Sequence, residues 1–274
     1  MNYLSWSPVE AEPIKELEET FRRLDSLKEP LRSSQPLSPD QISKLKEHQL
    51  LDMTYNSNAI EGNSLSLSET QVILQYGVTI SGKSLAEHIE VVNHKNAYEL
   101  MQKKVEEYEG GGFVFSLGDM ARIHSLILAG NIQAGQYRHD QAAITDSFHR
   151  PPRPEKLPRL MMAFMDWYEG PGQNFHPVER AARVHADLVT IHPFIDGNGR
   201  TARLLMTMEL IGAGFPPACI KADDKTRYVD TLQILQTTGD CRPFVQFIAQ
   251  NVEKAFDLYW HLLDIDPKKS DLRH

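Results

Sequence analysis

Hydrophobic residues recur every three or four positions along most of the chain, which is the spacing of one face of an α-helix. The pairs Ser84–Glu87 and Ser116–Asp119 are typical of helix starts, because each can exchange side-chain and backbone hydrogen bonds. The pattern therefore predicts an all-α fold. The periodic stripes are Ile14, Leu17, Phe21 and Leu24; Leu85, Ile89 and Val92; Ile123, Leu126 and Ile127; Ala181, His185, Leu188 and His192; Leu204, Met208 and Ile211; and Phe244, Phe247, Ile248 and Val252.

One stretch, residues 135–152, lacks the helical period. Its central residues predict a short β-hairpin or an ordered loop; they are Ala142, Ala143, Ile144 and Thr145, followed by Asp146 and Ser147. Prolines at 151, 152 and 154 predict an extended segment after it. The three glycines at 110–112 predict a flexible joint and a weak domain boundary.

Composition narrows the class of protein. The 274 residues carry 37 acidic and 29 basic side chains, for a net charge of −8. This argues against a general nucleic-acid binder, which needs a basic face, but leaves room for a local phosphate site. Cys219 and Cys241 are too few for a zinc cluster or a disulfide framework. Without a signal-peptide pattern or an apolar run of ~20 residues, we expect a cytoplasmic protein that does not enter a membrane.

The segment between two helical stripes, residues 192–203, reads His-Pro-Phe-Ile-Asp-Gly-Asn-Gly-Arg-Thr-Ala-Arg. Gly197, Asn198 and Gly199 permit a turn whose backbone N–H groups point inward as an anion site. The helix that follows adds unpaired N–H groups and its positive end. Arg200 and Arg203 on its first turn add donors that suit phosphate oxygens. The segment therefore predicts a polyphosphate site.

Two further side chains in this segment suggest the chemistry. Asp196 is a single carboxylate beside the predicted phosphates, which is the arrangement Mg²⁺ prefers. His192 ends the preceding helix, and a neutral imidazole can take a proton near neutral pH. Each residue alone is more often structural, as a turn, a cap or a solvated charge. Together within twelve residues they favour phosphoryl or nucleotidyl transfer.

An upstream motif runs Ser57-Asn58-Ala59-Ile60-Glu61-Gly62. Gly62 can close a helix in the left-handed conformation, which places Glu61 at the helix carboxyl end. A carboxylate there opposes the helix dipole, so a cationic partner would stabilise it. Taken alone, Glu61 is read as a solvated side chain.

The segment 192–203 resembles the signature of the Fic family, with every fixed position present. The resemblance extends over roughly residues 50–255 and implies a helical core with a short β-hairpin flap, preceded by a helical N-terminal region. We expect an N-terminal region at 1–100 that carries an inhibitory helix, a Fic core at 101–262 and a polar tail at 263–274. The family consists mainly of enzymes that transfer AMP from ATP to protein hydroxyls.

The resemblance assigns roles to the signature residues. His192 would deprotonate a Ser, Thr or Tyr hydroxyl of a target protein, with self-modification as a side activity. Asp196 would hold Mg²⁺ against the α- and β-phosphates. Gly197, Asn198 and Gly199 would bind phosphates through backbone N–H groups, and the Asn198 side chain would add to them. Arg200 would support the site and the phosphates, and Arg203 would hold the γ-phosphate.

Three more segments gain roles from the resemblance. Ser57, Glu61 and Gly62 match the family's inhibitory motif, so we expect Glu61 to pair with Arg203 in place of the γ-phosphate. In some members this Glu also supports removal of AMP, which the sequence leaves open. Residues 142–145 would dock the target by strand-like pairing. Tyr228, Val229 and Gln236 would line the nucleoside pocket, where Gln236 or Thr237 replaces the family's usual Asn.

Alternatives stay open at this point. A related transferase could use another nucleotide or a phosphocholine donor on the same phosphate site. A non-catalytic nucleotide-binding regulator of the toxin–antitoxin type would need no base at His192. A metal hydrolase built from His185, His192 and Asp196 is less favoured, because the two histidines are seven residues apart. The family also includes homodimers formed through helical faces.

Overall fold

The computed structural model describes residues 12–34, 36–108, 114–144 and 147–266. Within these ranges the regular structure is helical and no strand occurs, so the predicted all-α class is confirmed. The α-helices are α1 Glu18–Ser26, α2 Lys28–Ser33, α3 Pro39–Ile60, α4 Leu67–Tyr76, α5 Leu85–Glu106, α6 Leu117–Ile127, α7 Leu157–Glu169, α8 Pro177–Ile191, α9 Asn198–Gly212, α10 Lys225–Thr238 and α11 Arg242–Leu263. Short 3₁₀ turns lie at Lys15–Leu17, Pro154–Lys156, Pro171–Asn174 and Ala222–Asp224.

Local capping fixes where several helices begin. Ser84 and Ser116 each accept a hydrogen bond from the backbone three residues on, and Glu87 and Asp119 bond back to the cap, as predicted. Ser38 caps α3 in the same way with Gln41. These signals need only four consecutive residues, so they are readable without the tertiary structure.

Helices α8 and α9 form the centre of the fold and are buried on nearly all sides. Helices α5 and α6 pack on α9, while α7 and α11 pack on α8. Helix α3 lies against α5, α9 and α11. Its carboxyl end therefore reaches the turn that joins the two central helices.

The hydrophobic stripe predicted on α5 lies on the exposed side of the helix rather than in the core. The helix is where the spacing predicts it, but Leu85, Ile89 and Val92 are 70%, 44% and 46% exposed. The buried side carries Tyr98 and Met101. Spacing identifies a helix, whereas the side that is buried depends on the neighbouring helices, here α3, α6 and α9.

The predicted β-hairpin is wrong for the described part of residues 135–152. Ala142, Ala143 and Ile144 form no strand, and Thr145 lies outside the described residues. Pro151 and Pro152 on the returning leg have no N–H to give to a ladder. A side chain connects the legs here: Gln141 Nε2 donates to the Pro151 carbonyl at 2.9 Å.

The division of the chain at residue 100 stays a prediction; helix α5 continues across this point. The glycines at 110–112 and the tail from 267 onward lie outside the described residues. Among the helices described here, none combines the length and the apolar character that crossing a membrane requires.

Candidate active site

The turn between α8 and α9 is held by an amide side chain. Asn198 Oδ1 accepts from the Phe194 N–H at 3.0 Å, and its Nδ2 donates to the Phe194 carbonyl at 2.9 Å. Gly197 has φ +73°, the left-handed conformation that glycine adopts easily. Both polar groups of Asn198 are bonded within the turn, and the expected contact of this side chain with a phosphate stays a prediction.

The amino terminus of α9 faces the Glu61 carboxylate. The N–H groups of the first helical turn have no helical carbonyl to bond, so they form a positive end. A Cβ at Gly199 would lie 2.5 Å from Glu61 Oε1 and 3.1 Å from Arg203 Nη1. Glycine at 199 is therefore what allows a negative group to approach this helix end. Glu61 sits where a phosphate oxygen is expected.

The predicted ion pair between Glu61 and Arg203 is present. Arg203 Nη2 donates to Glu61 Oε1 at 2.6 Å, while Nε and Nη2 donate to the hydroxyl and carbonyl of Ser57 at 2.9 and 3.0 Å. Burial is the largest single effect and would raise the pKa of the Glu61 carboxyl, but the charge and hydrogen bond of Arg203, together with the charges of Arg200 and Lys225, hold that pKa below its usual value. The side chain of Arg203 is 3% exposed and that of Glu61 is 35% exposed. The Glu61 carboxylate is therefore ionised and partly exposed, whereas its partner Arg203 is a buried cation.

His192 follows the last residue of α8 in the left-handed conformation, with φ 52° and ψ 58°. Its Nδ1–H donates to the Val189 carbonyl at 3.3 Å, so Nε2 of the neutral ring is an acceptor. Burial lowers the pKa of this imidazole to about 4. The ring is therefore neutral at physiological pH and able to take a proton.

Asp196 presents a carboxylate that is 65% exposed beside this turn. Oδ1 accepts from the Gly197 N–H at 2.6 Å, and Oδ2 lies 3.3 Å from Arg200 Nη2. Among the described residues no cluster of three metal-ligating side chains occurs. One open carboxylate next to the predicted phosphate site fits Mg²⁺, which takes most of its remaining ligands from phosphates and water.

A cavity of about 470 Å³ joins most of the predicted site residues. Its wall includes His192, Asp196, Gly199 and Arg203 from the signature, Glu61, and the nucleoside candidates Tyr228, Val229 and Gln236. Ala143 and Ile144 also line it. Gly197, Asn198, Arg200, Ser57, Gly62 and Ala142 are not part of this wall. The volume is within the usual range for small-molecule sites.

The nucleoside candidates make inward contacts as well. The Tyr228 hydroxyl lies 3.1 Å from His185 Nε2 and 3.5 Å from Arg203 Nη1. Gln236 Nε2 donates to the Thr190 hydroxyl at 3.3 Å. His185 is fully buried and packs against the rings of Tyr228 and Phe244, so it is a packed histidine, as predicted.

His124 on α6, which no sequence motif marks as functional, supports the turn between α8 and α9. Its Nε2–H donates to the Asp196 carbonyl at 2.8 Å, and its Nδ1 accepts from the Gly135 N–H at 2.8 Å. The ring also stacks on Phe194, with the centroids 3.7 Å apart. The sequence places His124 next to Ile123 in a helical stripe, which indicates a buried position. Its hydrogen-bond partner Asp196 is 72 residues away, so the sequence pattern did not predict that contact.

Comparisons with known proteins agree with this geometry. The sequence model of the Fic/DOC family matches residues 114–210. A protein from Nematostella vectensis named protein adenylyltransferase Fic is 41% identical over 208 residues, which is 75% of this chain and 47% of that protein. A solved structure of a Fic-1 variant from C. elegans is 32% identical, with a TM-score of 0.77, covering 89% of this chain and 72% of that one.

The chain belongs to the Fic/DOC family.

A second solved Fic structure, a signalling protein from Bacteroides thetaiotaomicron, is 27% identical with a TM-score of 0.78. The alignment covers 89% of this Fic chain and 98% of that one. The resemblance read from residues 192–203 is thereby confirmed. This Fic chain spans about half the length of the curated relatives it matches.

Proposed function

We propose that this Fic protein transfers AMP from ATP to hydroxyl side chains of proteins and that Glu61 restrains the reaction. The observation that carries the proposal is the position of the Glu61 carboxylate. It lies against Gly199 and on Arg203, at the amino terminus of α9, in a cavity that also holds His192 and Asp196. The name of the relatives, protein adenylyltransferase, supports the same reaction.

The reaction needs a base and a phosphate site on one wall. The target hydroxyl oxygen would bond to the α-phosphorus of ATP as its proton passes to His192 Nε2. The bond from the α-phosphorus to the oxygen that bridges to the β-phosphate would break, and pyrophosphate would leave. Because the ring is neutral at physiological pH, it is in the form that accepts this proton.

Phosphate binding would rest on the turn and the first turn of α9. The N–H groups of Asn198 and Gly199 and the Arg203 guanidinium would hold the phosphate oxygens, since the Gly197 N–H already donates to Asp196 Oδ1. Asp196 would hold Mg²⁺, which supplies positive charge to the phosphates when bound. Arg200 is 4% exposed and lies 3.3 Å from Asp196 and 3.6 Å from Glu90, so its role would be to orient that carboxylate.

Restraint would follow from competition for one cation. Ser57 anchors Arg203 through two hydrogen bonds, and Gly62, with φ +101°, ends the helix so that Glu61 turns toward α9. A γ-phosphate and the Glu61 carboxylate both need the Arg203 donors. Binding ATP in the productive position would therefore require Glu61 to leave.

The other residues that line the cavity suggest where the nucleoside of ATP and the target protein would bind. Tyr228, Val229 and Gln236 line the side formed by α10, which suits the nucleoside. Ala143 and Ile144 from the loop before α7 also line the cavity, which suits a docked target segment. Contributions from Ala142 and Thr145, removal of AMP, and a homodimer stay predictions.

The test is transfer of label from tagged ATP to proteins of a cell lysate. We expect the Glu61→Gly protein to label polypeptides much faster than the parent, and the same protein carrying His192→Ala to label none. Tagged GTP, UTP and CDP-choline run in parallel decide the donor. Equal labelling by parent and Glu61→Gly protein would reject the restraint, and labelling only from another donor would reject AMP transfer.

A further inference from the structure

Arg138 is a buried cation that none of the roles above uses. Its side chain lies at the start of the non-helical loop 138–153 and is 2% exposed. Nε donates to the His192 carbonyl at 2.8 Å, Nη1 to the Asp140 carbonyl at 2.8 Å and Nη2 to the Pro152 carbonyl at 2.5 Å. Among the residues that the structure describes, no carboxylate lies within ion-pair distance of it.

A buried arginine bonded only to carbonyls must be explained by its geometry. A guanidinium is planar and directs its N–H groups along fixed, diverging lines, so it can hold three separate points of the backbone at once. One of these points is the carboxyl end of α8, where the helix dipole favours positive charge. Burial lowers the pKa of Arg138, but an arginine remains protonated. The site is therefore suited to arginine rather than to any cation.

The first of the three points is the backbone of His192. A residue with a Cβ avoids the left-handed region unless its surroundings fix it there. Arg138 Nε bonds the His192 carbonyl, and the Arg138 backbone N–H donates to the Pro193 carbonyl at 2.9 Å. One residue thus holds two successive peptide groups at the end of α8. The direction of the imidazole depends on both.

The other two points are the legs of loop 138–153. Asp140 lies on the outgoing leg and Pro152 on the returning leg, and no ladder of backbone bonds joins the described parts of the two legs. A second contact ties the returning leg to α8, because His149 Nε2–H donates to the Thr190 carbonyl at 2.8 Å. Between the legs lie Ala143 and Ile144, which line the cavity.

We propose that Arg138 is a positioning residue that fixes loop 138–153 and the His192 backbone relative to each other. A target segment docked on the loop then presents its hydroxyl at a set distance from the imidazole. The effect on catalysis rests on the proposed function, whereas the structural coupling does not. None of the three guanidinium hydrogen bonds goes to residues 197–203, so we expect nucleotide binding to be unaffected by a change at Arg138.

The test compares Arg138→Met and Arg138→Lys with Arg159→Met, all in the Glu61→Gly background. Arg159 is an exposed arginine on α7, so its substitution removes the same charge without touching the loop. The lysine variant keeps the charge, but one nitrogen cannot reach three separate carbonyls. Three quantities are measured for each variant: amide hydrogen exchange, affinity for a non-hydrolysable ATP analogue with Mg²⁺, and the initial rate of AMP transfer at saturating ATP.

We expect both Arg138 variants to exchange amides of loop 138–153 at least about tenfold faster, with α11 unchanged. We expect the transfer rate to fall about 100-fold, because small misplacements of reacting groups cost that much, while nucleotide affinity stays at the background value. The Arg159→Met variant should match the Glu61→Gly protein in amide exchange, nucleotide affinity and transfer rate. The combination separates local positioning from loss of stability.

Several results would overturn the proposal. The first is amide exchange and an AMP-transfer rate in Arg138→Met that equal those of the Glu61→Gly background. The second is full transfer activity in Arg138→Lys. The third is faster amide exchange throughout α11 together with loss of nucleotide binding. If the Glu61→Gly protein transfers no AMP, the proposed function fails, and the exchange measurement still decides the coupling. If the variants do not fold, NMR of the unmutated chain decides it: the Arg138 Nη protons should be resolved and slow to exchange, and averaged, fast-exchanging signals would reject the three bonds.

Discussion

Replacing Glu61 by Gln tests how strongly the carboxylate competes with a phosphate for Arg203. The amide has nearly the same shape as the carboxylate but no charge. Glu253→Gln is a matched control, because Glu253 pairs with Arg23 at 2.8 Å and its side chain is also 35% exposed. The two changes differ in the partner, since the side chain of Arg23 is 56% exposed and that of Arg203 is 3% exposed.

The expected gain in nucleotide affinity of the Glu61→Gln protein follows from the contacts of Arg203. A hydrogen bond between charged groups contributes about 1.5–3 kcal/mol. The exposed third of Glu61 and the two bonds that Arg203 keeps with Ser57 reduce the loss to about 1–2 kcal/mol. A bound γ-phosphate no longer has to displace this pairing in the variant. Since about 1.4 kcal/mol is tenfold in affinity, we expect nucleotide to bind about 5- to 30-fold more tightly.

Isothermal titration calorimetry with a non-hydrolysable ATP analogue and Mg²⁺ measures the change in affinity. Thermal unfolding without nucleotide should show Glu61→Gln less stable than the parent by a similar free energy. The Glu253→Gln protein should bind nucleotide like the parent, since exposed pairs contribute about 0–1 kcal/mol and this one is remote from the cavity. Equal affinities for the parent and Glu61→Gln, or an equal gain in Glu253→Gln, would refute the competition.

Three further predictions concern the turn and its base. Burial lowers the pKa of His192 to about 4, and the Glu61 charge partly offsets this effect. Removing Glu61 therefore lowers the pKa further, so kcat/KM of the Glu61→Gly protein should fall in acid with a midpoint at or below about 4, and a midpoint near 6.5 would contradict the burial argument. Asn198→Ala leaves the Phe194 N–H and carbonyl unpaired, so thermal unfolding should show a loss of about 2–3 kcal/mol, and an unchanged Tm would show that the turn holds without it. In Gly199→Ala the new Cβ would displace Glu61 yet occupy the same anion position, so label transfer should not rise as it does in Glu61→Gly; a matching rise would be inconsistent with that position.

Short-range patterns in the sequence were enough for the helices and for the chemistry of the α8–α9 turn. A capping box spans four residues, and the segment 192–203 contains the His192 imidazole, the Asp196 carboxylate and the two glycines in one run. These features depend on local backbone preferences, so they do not require knowledge of distant contacts. The Glu61–Arg203 pair joins residues 142 positions apart, and it was predicted only from the family resemblance.

Only the tertiary structure decided which groups share a surface. Which side of α5 is buried depends on the helices around it, and spacing alone does not contain that information. Loop 138–153 lacks a hairpin ladder in its described part because prolines occupy the returning leg, and its legs are held by Arg138 instead. The low pKa of His192 arises from its burial, with smaller contributions from Arg138 and His149, which are distant in sequence. The packing of segments that are distant in sequence determines which side chains are buried and which are in contact. Burial and contact in turn determine the ionisation and the position of the side chains at the site.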